Sequence, residues 1–205
     1  MRHDFQPLVK PLRIAELRPT QMTVGLREVA RKRQAWRDSC EKEGSDFLGR
    51  HLIPVVLGPK QRHWLVDHHH LASALHAEGQ EHVLASMVAD LSHLPRREFL
   101  TVMDNHSWLH PFDAVGERHG FGKLPRSIDK LSDDPCRSLA GAVLRAGGYA
   151  KSAAPFAEFM WADFFRRRID ASLIEDDFEE ATGQALHLAR KSKARHLPGW
   201  AGPRG

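Results

Sequence analysis

The chain has 205 residues, of which 41% are hydrophobic and 27% charged, and its formal net charge is +4. That composition suits one large domain or two small ones and excludes a disordered chain. No apolar run approaches a membrane span and the start of the chain has no apolar signal core, so a cytoplasmic, non-membrane protein is expected.

Two cysteines, Cys40 and Cys136, without CxxC spacing, exclude a zinc ribbon or a disulfide framework. The mild basic excess permits nucleic acid or nucleotide binding without demanding it. The 14 histidines are more unusual and make surface charge sensitive to acidification.

In chain order, residues 1–11 read as a flexible leader. Residues 12–17 form a short strand that Arg18-Pro19-Thr20-Gln21 breaks. Thr20 or Thr23 then caps a helix whose apolar face carries Val24, Leu26, Val29, Ala30, Trp36 and Cys40. Its basic residues are mostly a solvated face, but Arg27, Glu28 and Lys32 stand near the helix entrance and are candidates for a site. A hairpin follows, with strands 51–57 and 62–66 about a turn at Gly58-Pro59-Lys60-Gln61. After Asp67-His68-His69-His70, a short helix runs to about Glu78 and closes at Gly79, and residues 82–90 give one more strand. Residues 12–91 therefore make a compact α+β unit.

Residues 92–190 change to a helical pattern. Leu94, Phe99, Val102 and Met103 suit one helix, and residues 105–124 are irregular. Asp134-Pro135 supplies an N-cap and first-turn proline to a helix that Gly147-Gly148 stops. Pro155 opens an aromatic helix, and a last long helix is expected to carry Ile174, Phe178, Ala181, Ala185 and Leu188 as a packing stripe. Residues 191–205 read as a basic tail.

The chemistry concentrates at residues 64–75, where an apolar strand ends in an acid and three histidines that open a helix. Helix starts offer N–H groups and a positive dipole end, which favour phosphate. Backbone N–H groups at His69 and His70 with one or more imidazoles could hold phosphates, while Arg27 and Lys32 approach from the first helix. Glu28 or Asp67 could act as general base or hold Mg²⁺. A metal-hydrolase reading stays open beside this, since His68 and His70 alternate and His106, His110 and Asp113 form a second set. A plain histidine-rich turn is the simplest alternative. Asp163, mid-helix, is expected to pair with Arg137, Lys151 or another cation.

Several segments carry a resemblance. Leu17-Arg18-Pro19-Thr20-Gln21, Val24-Gly25, Ile53-Pro54-Val55-Val56 and Val66-Asp67-His68-His69-His70 resemble the ParB-like nuclease family. The closer likeness is to an Asp-His-His-His branch of the ParB/sulfiredoxin superfamily, a bacterial type. Leu131-Ser132-Asp133-Asp134-Pro135 and Phe159-Met160-Trp161-Ala162-Asp163-Phe164 extend the likeness to about residue 170.

The resemblance implies a small mixed-sheet α+β unit followed by a helical region, with a nucleotide or phosphate pocket at Asp67–His70. Thr20, Gln21, Gly25, Arg27 and Lys32 would line that pocket, and His106, His110, Lys151 and Asp163 would contribute from the later segments. The implied ligand is a nucleoside triphosphate or diphosphate with Mg²⁺, or a phosphorylated small molecule. The implied activity is phosphoryl transfer or nuclease-like phosphoester hydrolysis, and the alternative is a non-catalytic, nucleotide-dependent DNA-binding module. Where partition proteins carry Gly-Glu-Arg-Arg and sulfiredoxins Gly-Cys-His-Arg, this chain has Asp67-His68-His69-His70, without a cysteine.

Overall fold

A computed structural model describes residues 9–43 and 46–203. Residues 1–8 of the expected leader and Gly44 of the expected connection lie outside the described residues. The fold is mixed α+β, and the chain divides into two compact units. Of the described residues, the first unit holds those up to Met22, then Val29–Pro111 and His119–Leu131; the second holds Thr23–Glu28, Phe112–Arg118 and those from Ser132.

The first unit is built on a five-stranded mixed sheet. Its strands are β1 (Val9–Arg13), β2 (Arg18–Pro19), β4 (Ile53–Gly58), β5 (Arg62–Leu65) and β6 (His82–Asp90), in the order β1-β6-β4-β5-β2. The expected strand at 12–17 is displaced: β1 ends at Arg13, and Ile14–Glu16 forms a 3₁₀ turn that buries Ile14. The expected hairpin forms, with β4 antiparallel to β5 and Val55 opposite Leu65. β6 lies parallel to β4, and β2 adds parallel to β5 with Arg18 beside Trp64.

Side chains alternate across the sheet, so each strand feeds two cores. Val55 and Leu65 face one core with Leu71 and Leu75 of α3 (His69–Ala77) and Trp36 of α1 (Leu26–Glu43). Val56 and Trp64 face the other, with Phe99, Leu100 and Met103 of α4 (Arg96–Asn105). A bulge between Val55 and Val56 sets Met87 beside Val55 and Ala89 beside Val56, which moves the end of β6 from one core to the other. Phe47 of α2 (Asp46–Arg50) packs edge-on against Trp36, their rings 5.1 Å apart.

The second unit is helical. Strands β3 (Thr23–Val24) and β7 (Ser132–Asp133) pair in parallel, and the Asp133 carboxylate accepts from the Leu26 N–H at 2.8 Å. The start of α1 is thus held by an acid 107 residues away rather than by Thr20 or Thr23.

Asp134 caps α5 (Pro135–Arg145) as expected, accepting from the Cys136 N–H at 3.0 Å and the Arg137 N–H at 3.4 Å. Trp161, Phe164 and Phe165 of α6 (Ala157–Arg166) are buried against Leu139 and Val143 of α5. The expected last long helix is two, α7 (Ala171–Asp176) and α8 (Phe178–Ala189), because Asp177 breaks the run and accepts from the Glu180 N–H at 3.0 Å. The segment from 191 read as a basic tail is folded through 203. Leu197 is buried, the Trp161 indole donates to the Pro198 carbonyl at 2.8 Å, and the Ala150 N–H donates to the Gly199 carbonyl at 2.7 Å. Its apolar residues and glycines, not its charges, decide where it lies.

Candidate functional site

The histidine junction sits where β5 hands over to α3. Asp67 turns back on the chain and accepts the His68 N–H at 2.6 Å. His68 takes the left-handed conformation, φ 64°, as the N-cap of α3, and its own side chain makes no capping hydrogen bond to the described residues. A non-glycine residue in that region costs roughly 1–3 kcal/mol and persists only when its surroundings over-determine it.

What over-determines it is His69. Its side chain is buried, and its Nε2 accepts the Thr20 N–H at 3.1 Å, which places the imidazole proton on Nδ1. The Thr20 hydroxyl donates to the Leu65 carbonyl at 2.7 Å, and its carbonyl accepts from the His110 N–H at 2.8 Å. Gln21 bridges to His110. Thr20, Gln21, His69 and His110 therefore form a node that ties the Pro19 loop to the strand end and the helix start.

The three histidines consequently differ. His69 belongs to the node, His70 is half-buried in the first turn of α3, and His68 is surface-accessible. The surroundings of His68 include Asp67, Lys32 and His51, and its ring hydrogen-bonds the Leu52 backbone. Its pKa is lowered, chiefly because neighbouring groups displace water from the ring, with Lys32 and His51 adding to this and Asp67 opposing. His51 is itself held, its Nδ1 lying 2.9 Å from the Phe47 carbonyl and its ring stacked 4.1 Å from the Phe47 ring. Sequence reasoning missed His51, since 17 positions and a whole hairpin separate it from His68. Among the described residues, the Asp67–His70 loop contributes no group of three metal-ligand atoms within 4.8 Å of one another.

The remaining candidates are distributed between the units. Lys32 belongs to the first unit with the histidines, whereas Gly25, Arg27 and Glu28 belong to the second. There the Glu28 carboxylate, buried beneath Gly141, meets Arg145 Nη1 at 2.5 Å. The Arg27 guanidinium stacks 4.2 Å over Phe178. Gly25 approaches the first turn of α5 so closely that a Cβ there would lie 2.6 Å from the Ser138 amide nitrogen. His106 stacks on Trp108 at 4.5 Å in the first unit. In the second, Lys151 is exposed and Asp163 pairs with Arg166, which also reaches Asp134 at 2.6 Å. Asp113 accepts from the Val115 N–H at 3.0 Å and the Glu117 N–H at 2.9 Å, holding its own turn.

Residues 10–167 match the family model described as "Putative ParB-like nuclease". The chain belongs to this ParB-like family. It is similar to the crystal structure of protein Atu1540 from Agrobacterium tumefaciens, with 54% identity, a TM-score of 0.91, and coverage of 98% of this chain and 100% of that one. No curated protein matches the chain. Among the described residues, no helix is long and apolar enough to cross a membrane.

Proposed function

We propose that this chain is an Asp-His-His-His member of the ParB-like family that binds a nucleotide or other phosphoester at the start of α3 and hydrolyses it in nuclease-like fashion. The observation that carries this reading is the environment of His68. A water-accessible imidazole with a lowered pKa, beside an ammonium and a second imidazole, stands at a helix start locked by the His69–Thr20 hydrogen bond.

Kept neutral at physiological pH, His68 is suited to take a proton from an attacking water. The water oxygen bonds to phosphorus, the phosphoester P–O bond breaks, and the leaving oxygen takes a proton from solvent. Lys32 and the α3 dipole neutralise charge on the phosphoryl oxygens. One oxygen of Asp67 is engaged by the His68 N–H, and the other suits a Mg²⁺ that arrives with a nucleotide. Glu28, paired with Arg145, is not needed in this scheme.

The test is thermal stabilisation by ATP, ADP and CTP with and without Mg²⁺, followed by phosphate release and plasmid nicking, in the wild type and in His68→Ala. Stabilisation with turnover that His68→Ala abolishes supports the reading. Salt-sensitive DNA retention without turnover would instead identify a non-catalytic binding module. Neither stabilisation nor turnover would sink both.

A further inference from the structure

The opposite face of the same sheet carries a feature that the histidine junction does not use. A cavity of about 290 Å³ opens there, walled by Arg18 of β2, Lys60 of the hairpin turn, Arg62 and Trp64 of β5, Arg96 of α4 and Arg126 of the loop after Leu124. Strand register explains the grouping. Arg18 and Trp64 are neighbours across the β2–β5 pair, and Arg62 lies two residues from Trp64 on the same face. Leu65, on the other face, belongs to the core of α3.

Four properties distinguish this cavity from an ordinary basic surface. Among the described residues, no carboxylate lines it; Glu16 belongs to a smaller neighbouring hollow with Lys60 and Arg62. Among the described residues, none of the five cations has an ion-pair partner, and the three other guanidiniums add to burial in lowering the pKa of Arg18. Cations this close are held against mutual repulsion by the fold. Lys60 and Gln61 are both left-handed, φ 61° and 56°, at a turn where glycine or asparagine is the ordinary choice. Finally, the indole of Trp64 is 8% exposed and its Nε1–H has no acceptor among the described residues.

We propose that this cavity is an oligophosphate site, taking a chain of two or three linked phosphoryl groups from a nucleoside polyphosphate or an inorganic polyphosphate. Charge sets the class. A single phosphate brings about −1.5 to −2 charges and leaves most of five cations uncompensated, whereas linked phosphoryl groups balance them. Shape excludes the alternative: a concave hollow of this volume admits a compact chain and not the convex backbone of a duplex. Trp64 is too deeply placed for base stacking, so the phosphates and not a base make the contacts. The proposal involves none of the α3 residues and stands apart from the reading of His68.

The experiment is calorimetric titration of the full chain at low salt with inorganic tripolyphosphate, ATP, AMP, phosphate and a single-stranded oligonucleotide. The variants are Arg62→Ser/Arg126→Ser, Lys60→Gly and His68→Ala. Tripolyphosphate is expected to bind at least ten-fold more tightly than AMP or phosphate. The double variant should lose at least ten-fold in affinity, and His68→Ala should leave it unchanged. Lys60→Gly relieves a left-handed lysine, so it should fold at least as well as the wild type while binding several-fold more weakly. ATP equal to tripolyphosphate points to the phosphate chain alone, and tighter ATP that the double variant abolishes points to a nucleoside held outside the hollow; both support the site. Overturning results are no tripolyphosphate binding, binding unaffected by the cavity variants, loss in His68→Ala, or phosphate or AMP binding as tightly as tripolyphosphate. An oligonucleotide preferred over tripolyphosphate would also overturn it.

Discussion

His69→Ala is the most informative single change, because it separates a structural histidine from a chemical one. The imidazole is 4% exposed and accepts the Thr20 N–H at 3.1 Å across 49 residues. Removing it leaves that N–H without its acceptor, which costs about 1–3 kcal/mol, the penalty for orphaning a buried donor. The vacated volume adds a cavity penalty, smaller than the roughly 2–5 kcal/mol of a buried Leu→Ala because part of the ring is polar. Together the loss comes to about 3 kcal/mol, a large share of a total stability near 5–15 kcal/mol. For a chain of this size that corresponds to a melting point lower by roughly 6–12 °C.

Circular dichroism melts of wild type, His69→Ala and His69→Gln measure it. The glutamine oxygen can accept the same N–H, so His69→Gln should recover part of the loss. His68→Ala is expected to melt close to the wild type, because the His68 side chain is accessible. A His69→Ala protein that melts within a degree of the wild type would refute the node. An activity defect in His69→Ala with an unchanged melting point would return that residue to the chemistry.

Other consequences are independent of that node. Gly25→Ala should destabilise the second unit by about 1–3 kcal/mol, since its Cβ would lie 2.6 Å from both the amide nitrogen and the Oγ of Ser138, and the helix backbone cannot step aside as the hydroxyl can; denaturant titration reads it. Burial is the main cause lowering the pKa of both His63 and His68. The unfolded chain therefore binds more protons as pH falls through about 6.5, and stability drops over that window down to the lower folded values. The His63→Gln/His68→Gln protein should lose less melting temperature on acidification through the same window, and an identical pH profile would count against both shifts. Cys136 is buried and its thiol is pushed up to about 11, so iodoacetamide should modify its peptide only after unfolding. Labelling of Cys136 in the native protein would contradict its burial.

Much of the architecture could be read directly from the residues. The β4–β5 hairpin follows from apolar runs on either side of Gly58-Pro59, the stop of α3 from Gly79 at φ 77°, and the start of α5 from Asp134-Pro135. Each is decided within a few residues by turn chemistry or capping. The split at Asp177 is hidden in the sequence for the same kind of reason: the 3.6-residue apolar period continues through it, while a side-chain hydrogen bond from the Glu180 N–H ends one helix and begins another.

The sequence by itself determined that Asp67–His70 joins a strand to a helix, because polar residues after an apolar run admit few other local solutions. Only the tertiary structure decided what each histidine does there. His69 turns inward because the Thr20 N–H needs an acceptor, and His68 stays accessible beside His51 and Lys32. The basic cavity is the stronger case. Its cations come from β2, the hairpin turn, β5, α4 and a later loop, segments with no shared pattern in the chain. Strand pairing and the two-residue period of β structure bring them to one face, and that convergence is a property of the fold alone.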